Sequence, residues 1–178
     1  MSAEDRDQHD TKTSGAGAVT GHLQSAGSND GSRSDVIDAL QDLVECCKDG
    51  EYGFRKSAER AQGAQLKPLL ARRADEFRAA GEELNRLVVA LGGRREDSGS
   101  ALGAVHRGWV AVQTALGDND KAVLEGCERG QDNALARYRK ALDKPLPADI
   151  RSVVERQLQQ VRECHDEMKQ LRDQARAA

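Results

Sequence analysis

Aromatic residues, prolines and long apolar runs are all scarce in this chain, and each shortage removes a class of structure. Phe, Trp and Tyr make up 3% of the 178 residues, and only three prolines occur. Strands favour aromatic and β-branched residues, and no stretch alternates apolar with polar for long enough to argue for one. No run approaches the roughly 18 apolar residues that a membrane span needs. No early apolar stretch follows the N-terminus, so no secretory signal is expected. Neither sign of charge dominates: 27 Lys and Arg stand against 30 Asp and Glu, interleaved, for a net charge of -3. That leaves no basic patch for nucleic acid. Four cysteines occur, Cys46, Cys47, Cys127 and Cys164. Two are adjacent and all fall in predicted helices, which is not the pattern of a secreted disulfide framework. A cytoplasmic protein with reduced thiols, binding neither nucleic acid nor membrane, is the expectation. Nucleophile elbows, phosphate loops, dinucleotide fingerprints and paired zinc histidines are absent as well.

What is present is Leu and Ala at helical spacing. Residues 1–33 are rich in Gly, Ser, Asp and Thr and carry almost no apolar side chains. They cannot bury enough surface to offset their ordering entropy, so a disordered tail holding His9 and His22 is predicted, with one domain over residues 34–178. The first helix is expected from Ser34 or Asp35 to Gln62, stopped by Gly63, and the second from Lys67 to Leu91, stopped by Gly92-Gly93. A shorter helix is expected from Ala101 to Leu116, with Trp109 on its apolar side. Gly117-Asp118-Asn119-Asp120 then caps a third long helix to Leu142, and Leu146-Pro147 turns the chain into a fourth, ending near Ala175. Short connectors make each pair an antiparallel hairpin. The connection between the pairs is long enough to run the length of a bundle. The predicted fold is therefore all-α: a ferritin-like four-helix bundle of two antiparallel hairpins joined by a long crossover containing a shorter fifth helix.

The first helix breaks its own stripe. Apolar residues recur at Leu40, Leu43, Val44, Cys47, Phe54, Ala58 and Ala61, and the missing beat is assigned to Glu51, a carboxylate on the face turned to the core. At a constant offset of 80 positions Glu45, Cys47 and Gly50 reappear as Glu125, Cys127 and Gly130, with Gln131 in place of Glu51. The offset continues along both helices and reads as an internal duplication of a helix pair. Glu51 is expected level with Phe77, and Gln131 level with Gln157, so that Glu51, Gln131 and Gln157 meet at mid-bundle. Arg73 or Arg156 would then reach Glu51. Gly50 and Gly53 weaken the helix interior, a cost best explained by close approach of a neighbouring helix.

Buried carboxylates are unfavourable unless paired or bound to a cation. The candidate ligands of a di-metal centre of iron or manganese are Glu51, Glu76, Glu128, Gln131 and His165. The set departs from the usual recipe of two Glu plus two Glu-x-x-His pairs: Ala79 follows Glu76 at i+3, and Arg162 precedes His165 at i-3. Cys47, Cys127 and Cys164 fall on inward stripes and with His165 offer a second, thiolate reading as a zinc site, although no CxxC spacing occurs. His106, one turn before Trp109, reads as a packing partner of that ring.

Several motifs together resemble a known family: Cys47-Lys48-Asp49-Gly50-Glu51, Gly53-Phe54-Arg55, Asp97-Ser98-Gly99-Ser100, His106-Arg107-Gly108-Trp109, Cys127-Glu128-Arg129-Gly130 and His165-Asp166. The chain resembles, over residues 35–173, an uncharacterised family of bacterial four-helix-bundle proteins placed in the ferritin-like superfamily. The resemblance implies that fold and no agreed activity. It also implies a Glu in family members where this chain has Gln131. The functional expectation is a non-catalytic structural or stress-related bundle acting by self-association, as a homo-oligomer, or by binding a protein partner. The alternative is a di-metal carboxylate protein handling iron or oxidants.

Overall fold

The computed structural model describes residues 24–96 and 119–177. They form four helices, α1 (Gln24–Arg60), α2 (Leu66–Ala90), α3 (Asp120–Leu142) and α4 (Ala148–Ala177), and no strand. The helix ends follow local chemistry. Gly92, at φ 82°, closes α2, and the amides of Gly92 and Gly93 return to the carbonyls of Val89 and Val88. Asn119 caps α3 by accepting from the Ala122 amide at 2.8 Å. The start of α1 differs from expectation. It begins at Gln24, inside the stretch predicted as disordered, but residues 30–35 are all exposed, and Val36 is the first buried side chain after them. The predicted helix from Ala101 to Leu116, with His106 and Trp109, lies outside the described residues, as does the tail before Gln24. No described helix is long and apolar enough to cross a membrane.

The four helices pair in a ring. α1 packs closely on α2 and on α3, and α3 on α4, while α2 and α4 meet only loosely. Bonds between elements fix the directions. Cys47 meets Tyr138 and Ser57 meets Cys127, so α1 and α3 run antiparallel. Arg73 meets Glu167 and Glu83 meets Arg156, so α2 and α4 do too. The Asp120 carboxylate accepts from the amides of Gln62 and Gly63 at 2.6 and 2.8 Å, tying the α1–α2 turn to the start of α3. The core is aliphatic: Leu40, Leu43, Leu70, Leu84, Val88, Val154 and Met168 are fully buried. All four cysteines are buried and free, so the inward placement of Cys47, Cys127 and Cys164 holds, and Cys46 joins them.

The apparent gap in the α1 stripe has a different cause from the one expected. The beat after Cys47 falls on Gly50, not on Glu51, and Phe77 of α2 fills it. A Cβ on Gly50 would come within 2.5 Å of the Phe77 ring, which itself packs on Phe54 at 5.7 Å between centroids. Gly81 approaches the Cβ of Cys47 in the same way, at 3.1 Å from where its own Cβ would stand. The expected level of Glu51 with Phe77 is therefore right to one residue, but the side chain points elsewhere. The second hairpin has another register. Tyr138 pairs with Gln157 and Asp132 with His165, so Gln131 lies about two turns from Gln157 instead of beside it.

Helix propensity alone predicts that Gly→Ala stabilises an exposed helical position by about 1 kcal/mol. Chemical denaturation should show that gain for Gly130→Ala, where an added Cβ meets nothing within 4 Å. Gly50→Ala should instead destabilise by about 1–3 kcal/mol, because the Phe77 ring must move.

Candidate functional site

The polar centre of the bundle is built on Tyr138. Its side chain is completely buried on α3, and a phenol so placed requires a partner for its hydroxyl. The hydroxyl donates to Gln157 Oε1 on α4 at 2.8 Å. Its oxygen lies 3.3 Å from Cys47 Sγ on α1, where the thiol is left to donate. Gln157 Nε2 donates to Glu83 Oε2 at 2.7 Å and to the Ala80 carbonyl at 3.3 Å, both on α2. One hydrogen-bonded layer thus touches all four helices. Only its outer end, Glu83, is charged, and Arg156 meets that charge at 2.6 Å. Burial opposes the Glu83 carboxylate, but the bonds from Arg156 and Gln157 outweigh it and hold the group below its ordinary range.

The layer floors a cleft of about 530 Å³ between α2 and α4, where Arg73, Glu76, Arg156 and Glu163 alternate in sign. Three part-buried arginines clasp neighbouring helices of the bundle. Arg73 bridges α2 to Glu167 of α4 at 2.5 Å, and Arg172 of α4 holds Glu128 of α3. Arg137 of α3 sits among Asp42, Glu45 and Asp49 of α1, at 2.7, 3.6 and 3.5 Å.

The thiols are not poised for chemistry. Burial pushes Cys46, Cys127 and Cys164 up to about 12 and Cys47 to about 11, so all four stay protonated near neutral pH. Among the described residues, Cys47, Cys127, Cys164 and His165 do not converge into a group placed to hold zinc. His165 stands instead between Asp132 and Asp166, 3.2 Å from each.

The candidate metal ligands do not come together. Glu51 is half-buried and turns along its own helix to Arg55 at 2.9 Å, and that guanidinium also reaches Asp75. Neither Arg73 nor Arg156 reaches it. Glu76 is exposed and pairs with Arg73. Glu128 is taken by Arg172. Gln131 is buried, as expected, but its Oε1 has no hydrogen-bond partner. Among the described residues no group of three His, Cys, Asp or Glu side chains is placed to hold a metal ion. The donor set therefore does not fit a di-metal centre: its charges are matched by arginines on different sides of the bundle, and the central positions are neutral. The sequence reading missed Tyr138, Asn85 and the arginine clasps. Asn85, also buried, exchanges bonds with the backbone of Glu96 and fixes the chain leaving α2.

Asp49 yields a test of this electrostatic picture. Burial pushes its carboxyl up to about 6, only partly opposed by Arg137, with Glu45 and Asp42 adding to the rise. A folded-state value above the unfolded one makes the protonated carboxyl the favoured form. Its contribution is complete below about pH 4 and is lost as pH rises through 6. Asp49→Asn should thus be more stable than the parent above pH 6, by about 1 kcal/mol after solvent screening, with the gap closing near pH 4 in denaturation curves at each pH.

Comparisons with known proteins agree with the architecture. A mutant of Mycobacterium smegmatis Dps1 superposes with a TM-score of 0.69 and 15% identity, over 80% of this chain and 98% of that one. The DPS protein of Vibrio cholerae O1, described as a member of a broad superfamily of ferritin-like diiron-carboxylate proteins, superposes with a TM-score of 0.65 and 12% identity, over 79% and 91%. At such identities the likeness shows the fold alone, an all-α ferritin-like bundle. No curated protein matches the sequence. The model of a domain of unknown function, DUF2383, matches residues 35–144, more than half of the chain, and the protein belongs to that family.

Proposed function

We propose that the protein is a non-catalytic helical scaffold, structural or stress-related, that works by associating with copies of itself or with a protein partner. One observation carries this reading: the positions that would have to supply a metal centre are occupied by neutral amides or by carboxylates already paired with arginine. A site meant for a cation needs surplus negative charge on converging side chains. Here Glu51, Glu76 and Glu128 point to different guanidinium groups, and the buried layer closes on itself through Tyr138 and Gln157. Free buried thiols support a reducing, cytoplasmic setting. The domain edge is read near residue 34, just before Val36, where the exposed stretch 30–35 gives way to burial. The offset pairing of the two hairpins is read as a duplication whose halves have since diverged in register.

The rival reading, a di-metal protein handling iron or oxidants, is favoured by the likeness in fold to the Vibrio cholerae protein. Elemental analysis of the purified full chain, with light scattering on the same sample, separates the two. Substoichiometric iron, manganese and zinc in a defined assembly or partner complex is the expected result. Stoichiometric metal, lost in Glu51→Ala or Glu128→Ala, would replace the scaffold reading by the di-metal one.

A further inference from the structure

The α2–α4 cleft opens outward, and its rim residues Glu76, Ala79, Arg86, Arg156, Gln160 and Glu163 are all exposed. Among the described residues it is lined by α2, α4 and Tyr138 alone. The chain leaving α2 turns the other way: Gln41 and Lys48 of α1 donate to the carbonyls of Arg94 and Glu96. Charge is divided unevenly along the cleft. One end holds Arg156, its partner Glu83, and Arg86, which makes no hydrogen bond or ion pair among the described residues. The other end holds Arg73, its partner Glu76, and Glu163, which is bonded only by the Gln159 amide. The lining thus carries surplus positive charge at one end and surplus negative charge at the other. The Arg73–Glu167 and Glu83–Arg156 bonds fix the relative height of α2 and α4, with Ala80 opposite Gln160. On α2 the midpoint between Arg86 and Glu76 is Gly81. On α4 the midpoint between Arg156 and Glu163 falls at Gln159 and Gln160. These midpoints face each other across the cleft, so a single two-fold axis can pass through both.

We propose that two copies of the chain pair through this face, about a two-fold axis crossing α2 near Gly81 and α4 near Gln160. This rests on the self-association reading above and names the surface that it uses. The axis lays each α2 antiparallel to the α2 of the second copy, and each α4 antiparallel to the other α4. Arg86 then stands opposite Glu76 of the second copy, and Arg156 opposite Glu163, each pair occurring twice. Arg86 gains the partner it lacks. Arg156 keeps Glu83, because a guanidinium has five donors and can serve two carboxylates. Only Ala79, Ala80 and the neutral Gln160 lie near the axis, so no charge meets its own copy there. A face two helices wide along the about 37 Å of α2 offers on the order of 700 Å² per copy, close to what a standard stable interface buries.

Sedimentation of the full chain over a range of concentrations, together with cysteine cross-linking, tests the surface. A dimer that weakens as salt rises is expected. Arg86→Glu should weaken it about tenfold or more, since repulsion replaces attraction at two places. Adding Glu76→Arg to that variant should recover most of the loss. Gln160→Cys should give a disulfide-linked dimer on air oxidation, whereas Arg162→Cys, exposed on the far side of α4, should not. The four native thiols are buried and do not compete. Thermal melting checks the fold of each variant. A parent protein that stays monomeric at every concentration overturns the proposal and leaves the scaffold reading to a protein partner. A parent that self-associates with unchanged affinity in Arg86→Glu, or that cross-links equally at the two cysteine sites, overturns this surface alone. The scaffold reading itself is judged separately, by metal content.

Discussion

The bundle depends on a single buried hydroxyl. Tyr138 is wholly inside, so its O–H must be paired, and the geometry pairs it with an amide from α4 and a thiol from α1. The amide, once its oxygen is taken, has only its N–H groups left, and these reach the α2 backbone and Glu83. Each helix thereby finds its height relative to the others through directional contacts, where leucine packing alone would tolerate sliding. The donor–acceptor chain that does this is neutral except at Glu83, whose charge Arg156 meets. That is why a ferritin-like frame can close in this chain around a centre that has no surplus negative charge.

Outside the layer, arginines set which helices pair. Arg137 joins α3 to α1, Arg73 joins α2 to α4, and Arg172 joins α4 to α3, each side chain being only 14–19% exposed. The fourth pairing, α1 with α2, uses glycine: Gly50 admits Phe77, and Gly81 admits Cys47. Gly50 and Gly81 let the α1 and α2 backbones come close, whereas α2 and α4 stay apart and leave a cleft between them. Two of these arginines, Arg73 and Arg172, also meet Glu76 and Glu128, two of the carboxylates considered as metal ligands.

Helices, hairpins and caps were legible in the sequence because they follow from local signals. Gly92, Asn119 and the Leu146-Pro147 turn act within a few residues of themselves. The first hairpin could also be levelled correctly, since its connector is short and symmetric. The second could not, because its register was carried over from the first, whereas Tyr138 and Gln157 impose their own. Glu51 was misplaced for a related reason. A glycine contributes no apolar signal, so a stripe that passes through Gly50 looks interrupted, and the nearest polar residue seems to occupy the gap. Which arginine finds which carboxylate was also not legible, because ion pairs across helices depend on the rotation of each helix as well as on its height. Gln131 and Gln157 were read as buried, and they are, but burial alone did not tell that one would be fully bonded and the other left with an open acceptor.

The claim most exposed to test is that Tyr138 and Gln157 act together as a structural tie. A double-mutant cycle with Tyr138→Phe and Gln157→Leu, read by chemical denaturation in metal-free buffer, measures it directly. A coupling of about 1–2 kcal/mol is expected, because either single change leaves a buried polar group unpaired and the double change removes both. Effects that add to within about 0.5 kcal/mol would contradict it, and would mean that the four helices are held in register by something other than this layer.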